Sequence, residues 1–300
     1  MATLRQIRRR IRSVENTKQI TRAMRMVAGA KLKIFEKALS TYQVYQSSLE
    51  GIVARLLSGA EPGEHPFLLK SEEIRRRLYL VFTSDTGLCG AYNLNLIKHV
   101  QELIHEDPGV ISVFALVGKK GVSICRRRPL GEIRAQWTDL RGQINEEVLS
   151  GLADLAVELF SKGEVQEVFA AHTHFKSASR YAPAVKQLLP IDPERLVAET
   201  VGASGDAAKQ SDGAQLHYLV EPDRESVVKS LLPQYLRALL RLVLLESFAS
   251  EQAARVSAMR QATDNATEVL DALVLQRNKA RQANITRELI EVISGAESLS

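Results

Sequence analysis

The feature that most constrains this chain is a pair of long, almost uninterrupted helical patterns at its two ends. From Leu4 to Leu56, apolar or small residues recur at Leu4, Ile7, Ile11, Val14, Thr17, Ile20, Met24, Val27, Ile34, Ala38, Tyr42, Tyr45, Leu49, Ile52 and Leu56. Nearly every step is three or four, which predicts one narrow seam along one helix face. A second such segment runs from near Glu225 to about Ile293. At ~1.5 Å per residue, helices of ~50 and ~65 residues span roughly 75 and 100 Å, too long to fold back into a domain of ordinary size. The two helices are therefore expected to pair with each other, antiparallel because they arrive from opposite ends of the chain.

Between them the pattern changes. Arg77–Thr83, Ile111–Val117, Glu132–Thr138 and Val165–Thr173 read as strands, with Ala184–Leu189 and Leu216–Val220 as weaker candidates. Helices are expected over Ala91–Glu106, Lys119–Arg127 and Glu146–Phe160. Strands alternating with helices at this spacing imply βαβ units and a mainly parallel sheet. The fold class is thus α/β: a central Rossmann-like domain with a long antiparallel coiled coil of N- and C-terminal helices. The expected boundaries are 1–58, 75–221 and 224–295. Gly59, Pro62, Gly63 and Pro66 punctuate a loop, Asp192–Gly213 reads as a mobile loop, and Pro233 is expected to kink or restart the second helix.

Charge narrows the partners. The net charge is only +5, yet Arg5 to Lys33 holds ten basic residues and one acid, Glu15. Such a face fits an acidic protein surface, nucleic acid or anionic lipid. No apolar run of ~18 residues is present to span a membrane, and no signal peptide is evident. Two cysteines, Cys89 and Cys125, make no disulfide framework.

Motifs that would carry chemistry are incomplete. Ser84-Asp85-Thr86-Gly87-Leu88-Cys89-Gly90 lies between a strand and a helix, where phosphate loops sit, but lacks both the G-x-G-x-x-G spacing and a Walker lysine. Cys89 at a helix start invites a nucleophile reading; without a histidine partner, a small buried cysteine is the simpler one. His172 and His174 share one strand face, as a metal pair does, but the other histidines and the cysteines complete no spaced ligand set. The central domain is therefore expected to bind neither nucleotide nor metal. An α/β enzyme using Gly87–Gly90 leaves the long helices unexplained. A nucleic-acid-binding coiled coil lacks aromatic residues among its charges.

Four segments are more specific: RRRIRSVENTKQITRAMRMVAGAKLK from Arg8, SDTGLCGAYN from Ser84, ESFASEQAARVSAMRQATDNA from Glu246 and NKARQANITRELIEVISG from Asn278. Together they resemble the gamma subunits of bacterial-type F-type ATP synthases, in register over the whole chain. Thr86 and Ala91 depart from that pattern, where the family usually has Arg and Gly. The cysteine-bearing insertion of chloroplast members is absent.

The resemblance implies the central rotor shaft of a proton-translocating synthase, peripheral to the cytoplasmic face of the bacterial inner membrane. Its implied partners are the alpha3-beta3 catalytic hexamer, the epsilon subunit and the c-subunit ring. It implies no cofactor and no bond chemistry in this subunit. It places Met24 and Arg25 near an acidic lever loop of the beta subunit. Arg281, Gln282, Thr286 and Glu288 fall where the family contacts a beta-subunit catch loop.

Overall fold

The computed structural model describes residues 3–58, 65–203, 221 and 223–297. The chain divides into two compact units, Met1–Ala30 with Arg255–Ser300, and Lys31–Ala254. Two helices contribute to both units: α1, Leu4–Leu57, and α6, Arg224–Glu297.

In the first unit these helices form an antiparallel pair. Ile7 and Ile11 share a buried cluster with Leu273, flanked by Val14, Leu270, Val274 and Ala280. Farther along α1 the partner number falls, with Thr263 Oγ1 donating to Thr21 Oγ1 across a buried 2.9 Å. On α1 in this unit Ile7, Ile11, Thr21 and Ala28 are buried and Leu4, Val14, Lys18, Met24, Arg25 and Gly29 half-buried; the line through the pair runs Ile7, Ile11, Val14, Lys18, Thr21, Arg25 and Ala28. Their alternating steps of four and three make a strict 3.5-residue seam.

This differs from the expected stripe. Ile20 and Val27 are more than half exposed, and in the second unit Ile34, Tyr45 and Ile52 are exposed too. Each stands one position short of the 3.5-residue line. The seam keeps its period and accepts polar residues such as Thr21, and Gln46 in the second unit, instead.

The second unit is built on a five-stranded sheet: β1, Arg76–Phe82; β2, Ile111–Val117; β3, Glu132–Trp137; β4, Glu167–Ser177; and β5, Arg180–Leu189. The order is β3-β2-β1-β4-β5. The first four are parallel to their neighbours, and β5 runs antiparallel to β4 along the edge. Helices α2, Tyr92–Glu106, and α3, Lys119–Arg127, cover one face, where Tyr79 and Val81 meet Leu96, Val100 and Val122. The other face carries Leu78, Leu80 and Phe82 against α4, Glu146–Ser161, together with Leu49 and Val53 of α1 and Leu236, Leu240 and Leu244 of α6. A strand covered on both sides has no polar face, which is why β1 from Leu78 to Phe82 and β2 from Val113 to Val117 read as apolar runs.

Two expectations change here. The segment after Asp192 begins not as a loop but as α5, Pro193–Ala203. Asp192 Oδ1 accepts from the backbone N–H groups of Glu194 and Arg195, and Pro193 stands where a missing N–H costs nothing. The rest of that stretch, the loop through 59–64 and the candidate strand at 216–220 lie outside the described residues. Helix α6 continues through Pro233 without restarting. The carbonyl that loses its bond belongs to Lys229, an exposed residue open to water.

Candidate functional site: a plugged crevice and an uncovered helix pair

In doubly wound sheets, ligands bind beyond the carboxyl ends of the strands where the strand order reverses. In this sheet that point lies between β1 and β4. It is occupied by the chain itself. From Val243 to Ala254 every residue of α6 is buried, polar ones included. A helix apolar on one side would leave half of such a segment wet; Glu246, Ser247, Ser250, Glu251 and Gln252 show that this one is enclosed.

Two of these side chains, Glu246 and Ser250, are fastened to β4, and the Ser247 backbone is held by α2; the Ser247 hydroxyl is buried without a hydrogen-bond partner among the described residues. Ser250 Oγ donates to the Thr173 carbonyl at 3.0 Å. Tyr92, at the start of α2, donates its hydroxyl to the Ser247 carbonyl at 3.0 Å. Burial first of all pushes the Tyr92 hydroxyl well above its ordinary pKa, so it stays protonated and keeps donating. His172 Nε2 and His174 Nδ1 lie 2.8 and 2.9 Å from the same oxygen, Glu246 Oε2. Burial alone would raise the Glu246 carboxyl; the hydrogen bonds and charge of the two histidines outweigh it and hold the group below its usual value.

The Ser84–Gly90 turn closes over the same place. Leu88 and Gly90 take positive φ, 63° and 60°, which wraps the chain tightly before α2. Asn93 turns back into the loop: its Oδ1 accepts from Ser84 N at 2.9 Å and its Nδ2 donates to Ser84 Oγ at 2.8 Å. Asp85 accepts backbone N–H bonds from Lys119, Asp139 and Arg141. These donors are the kind a phosphate would use, and side chains of the chain have taken them. Cys89 is buried, in one cluster with Tyr92, Ala254 and Tyr181. Two of the four diagnostic sequence segments therefore meet: the SDTGLCGAYN turn packs on the ESFASEQAAR helix. Gly118, at φ +95°, lets the end of β2 approach; a Cβ there would stand 2.2 Å from the Thr83 carbonyl oxygen.

The other candidate residues belong to the first unit. Met24 and Arg25 are half-buried along the α1 seam, whereas Arg281, Gln282, Thr286 and Glu288 are exposed. The two sets occur on different helices, and nothing on the described surface brings them together. Thr286 Oγ1 bonds its own helix at the Gln282 carbonyl, 3.0 Å away. Among the described residues, none of the ten basic side chains from Arg5 to Lys33 makes an ion pair. Sequence reasoning missed a further feature. Beyond Ala280 none of the described residues covers the helix, and Ile285, Leu289, Ile290, Val292 and Ile293 stand 48 to 69% exposed. The signal was available: 285, 289, 292 and 293 form one apolar face at helical spacing.

A family model described as ATP synthase matches residues 3–299. The ATP synthase gamma chain of Heliobacterium modesticaldum is 40% identical over 300 residues, and that of Moorella thermoacetica 39% over 301, each alignment covering 100% of both chains. Among solved structures, a chain of the central stalk and c-ring of the Tetrahymena thermophila mitochondrial ATP synthase is similar with a TM-score of 0.59 and 26% identity, over 81% of this chain and 99% of that one. The rotor of the Euglena gracilis mitochondrial enzyme shares the fold, at TM-score 0.61 and 18% identity over 94% of this chain and 98% of that one. A helix lodged where the fold would otherwise hold a ligand, and two paired helices left basic and apolar on the outside, accord with these likenesses: the chain belongs to the ATP synthase gamma-chain family.

Proposed function

We propose that this chain is the central rotor shaft of an F-type ATP synthase, a non-catalytic subunit that couples ion-driven rotation of a c-subunit ring to conformational change at the beta subunits. In this reading the paired helices of the first unit stand inside an alpha3-beta3 hexamer. The α/β domain within 75–221 meets the c ring and the epsilon subunit, while 1–58 and 224–295 supply the shaft. The assembly holds the chain peripherally at the cytoplasmic face of a bacterial inner membrane; no described helix is long and apolar enough to cross one itself.

The observation that carries the reading is the uncovered surface of the first unit. A basic face with no ion pair among the described residues and an aliphatic helix end left 48 to 69% exposed are both costly in isolation. An enclosing partner with an acidic loop and an apolar sleeve accounts for both. Met24 and Arg25 meet an acidic beta-subunit loop. Arg281, Gln282, Thr286 and Glu288 meet a second loop, with Arg281 offering charge-assisted hydrogen bonds to a carboxylate. Gln282 and Thr286 are one turn apart and face one side, as do Arg281 and Glu288 two turns apart.

The test is reconstitution of the membrane-bound complex with and without the chain, measuring ATP hydrolysis and ATP-driven ion pumping together. The reading expects hydrolysis to persist in a hexamer lacking the chain and pumping to vanish. Pumping that survives omission of the chain sinks it.

A further inference from the structure

Sequence spacing left His172 and His174 without a third ligand. Helix α6 supplies it, from 72 residues farther along the chain. We propose that His172, His174 and Glu246 form a binding site for a divalent transition metal of the zinc class, clipping α6 to the end of β4. The site is independent of the rotor reading.

Strand geometry puts His172 and His174 on the same face, and the buried helix brings the Glu246 carboxylate against both rings. One ligand atom from each residue lies within 4.8 Å of the other two. Two imidazole nitrogens and a carboxylate oxygen are a set that zinc takes with one position left for water. His172 and Glu246 are almost wholly buried, whereas the His174 side chain is 43% exposed, which gives an ion and its water a way in. A tetrahedral ion with bonds of about 2.0–2.1 Å holds its ligand atoms roughly 3.3 Å apart. The rings therefore have to withdraw from Glu246 Oε2 by roughly half an ångström from their present 2.8 and 2.9 Å, a small side-chain adjustment.

The protons can be followed. Without metal, His172 Nε2 and His174 Nδ1 both lie at hydrogen-bond distance from Glu246 Oε2, so these are the two nitrogens an ion has to take. An ion taking those nitrogens requires each proton to sit on the other nitrogen of its ring. For His174 the ring is half in water, so the exchange is easy. For His172 the receiving atom is Nδ1, which is buried and has no hydrogen-bond partner among the described residues. A metal-binding histidine ordinarily has such a partner. The site should therefore bind more weakly than a closed structural zinc site, and His172 is the ligand that limits it.

Cobalt(II) titration of the chelator-stripped full-length chain tests the proposal, because low-coordinate cobalt absorbs far more strongly than the hydrated ion. One equivalent should bind, be displaced by zinc, and raise the unfolding midpoint. His174→Ala changes a half-exposed side chain and should keep the fold while abolishing both signals. Glu246→Gln should abolish the absorption as well. His105→Ala, on the exposed side of α2, should leave both signals unchanged. Two outcomes overturn the site: a spectrum that stays that of the hydrated ion, or intense absorption that survives His174→Ala.

Discussion

Helix α6 is two different objects along its length. From Val243 to Ala254 every residue is buried, Glu246 and Ser250 as completely as Leu244. From Arg281 to Ile290 every residue is exposed, Ile285 and Leu289 as fully as their polar neighbours. In the first stretch Glu246 and Ser250 find partners on β4, and the apolar side chains are spent in the core. In the second, among the described residues, the apolar side chains stand bare. A helix whose interactions are complete needs no partner, and one left amphipathic and bare implies one.

The comparison breaks most visibly under truncation of leucines. Leu240 is wholly buried in the main core, so Leu240→Ala should destabilise the chain by about 2–5 kcal/mol in denaturant unfolding. Leu289→Ala, on the bare stretch, should stay within about 0.5 kcal/mol. Equal losses would mean that the exposed stretch is packed in solution.

In the assembled complex the contrast should reverse. On the proposed contacts, Met24→Lys would add charge beside an acidic loop, while Arg281→Ala and Gln282→Ala would remove partner-directed polar groups. Each should lower ions pumped per ATP severalfold, measured as pumping and hydrolysis on one preparation, with little effect on unfolding of the isolated chain. If all three leave the ratio unchanged, torque passes by shape over many residues and the named contacts are wrong.

Smaller effects sharpen the buried side. Ser250→Ala deletes the hydrogen bond to the Thr173 carbonyl and should cost about 1 kcal/mol by the same unfolding measurement. Asp192 gives a weak acid dependence. The Lys70 ammonium, first of all, and the N–H groups of Arg195 and Glu194 hold its carboxyl below the ordinary range. A group with a depressed folded pKa stabilises above its unfolded pKa, about 3.9 for Asp, and loses that contribution as pH falls through the folded value. Asp192→Asn should flatten this part of a stability-against-pH profile below about pH 4.

Much of this was legible beforehand. Strand β2 and helix α3 begin and end where the sequence predicts, because Gly109 and Gly118 bracket an almost wholly apolar run and a short basic helix follows it. The seam of α1 was harder. Ile20, Val27 and Ile34 compete with the true line, and only a strict 3.5-residue count, tolerating Thr21 and Gln46, finds it. Helix α5 hid in a stretch of Ala, Gly and Asp because its start depends on one side chain, Asp192, capping two N–H groups. The meeting of Glu246 with His172 and His174 was illegible, since nothing local links a strand to a helix so distant in sequence. The plugging of the crevice by α6 was hidden for the same reason: polar residues at helical spacing look like a solvated face until the sheet encloses them.

The most direct test is to ask whether the bare stretch becomes covered. Both native cysteines, Cys89 and Cys125, are buried, so a single engineered thiol reports cleanly. Leu289→Cys and Ile285→Cys should be alkylated quickly in the free chain and many times more slowly once it is assembled with alpha and beta subunits. Equal rates in the two states would contradict the shaft reading.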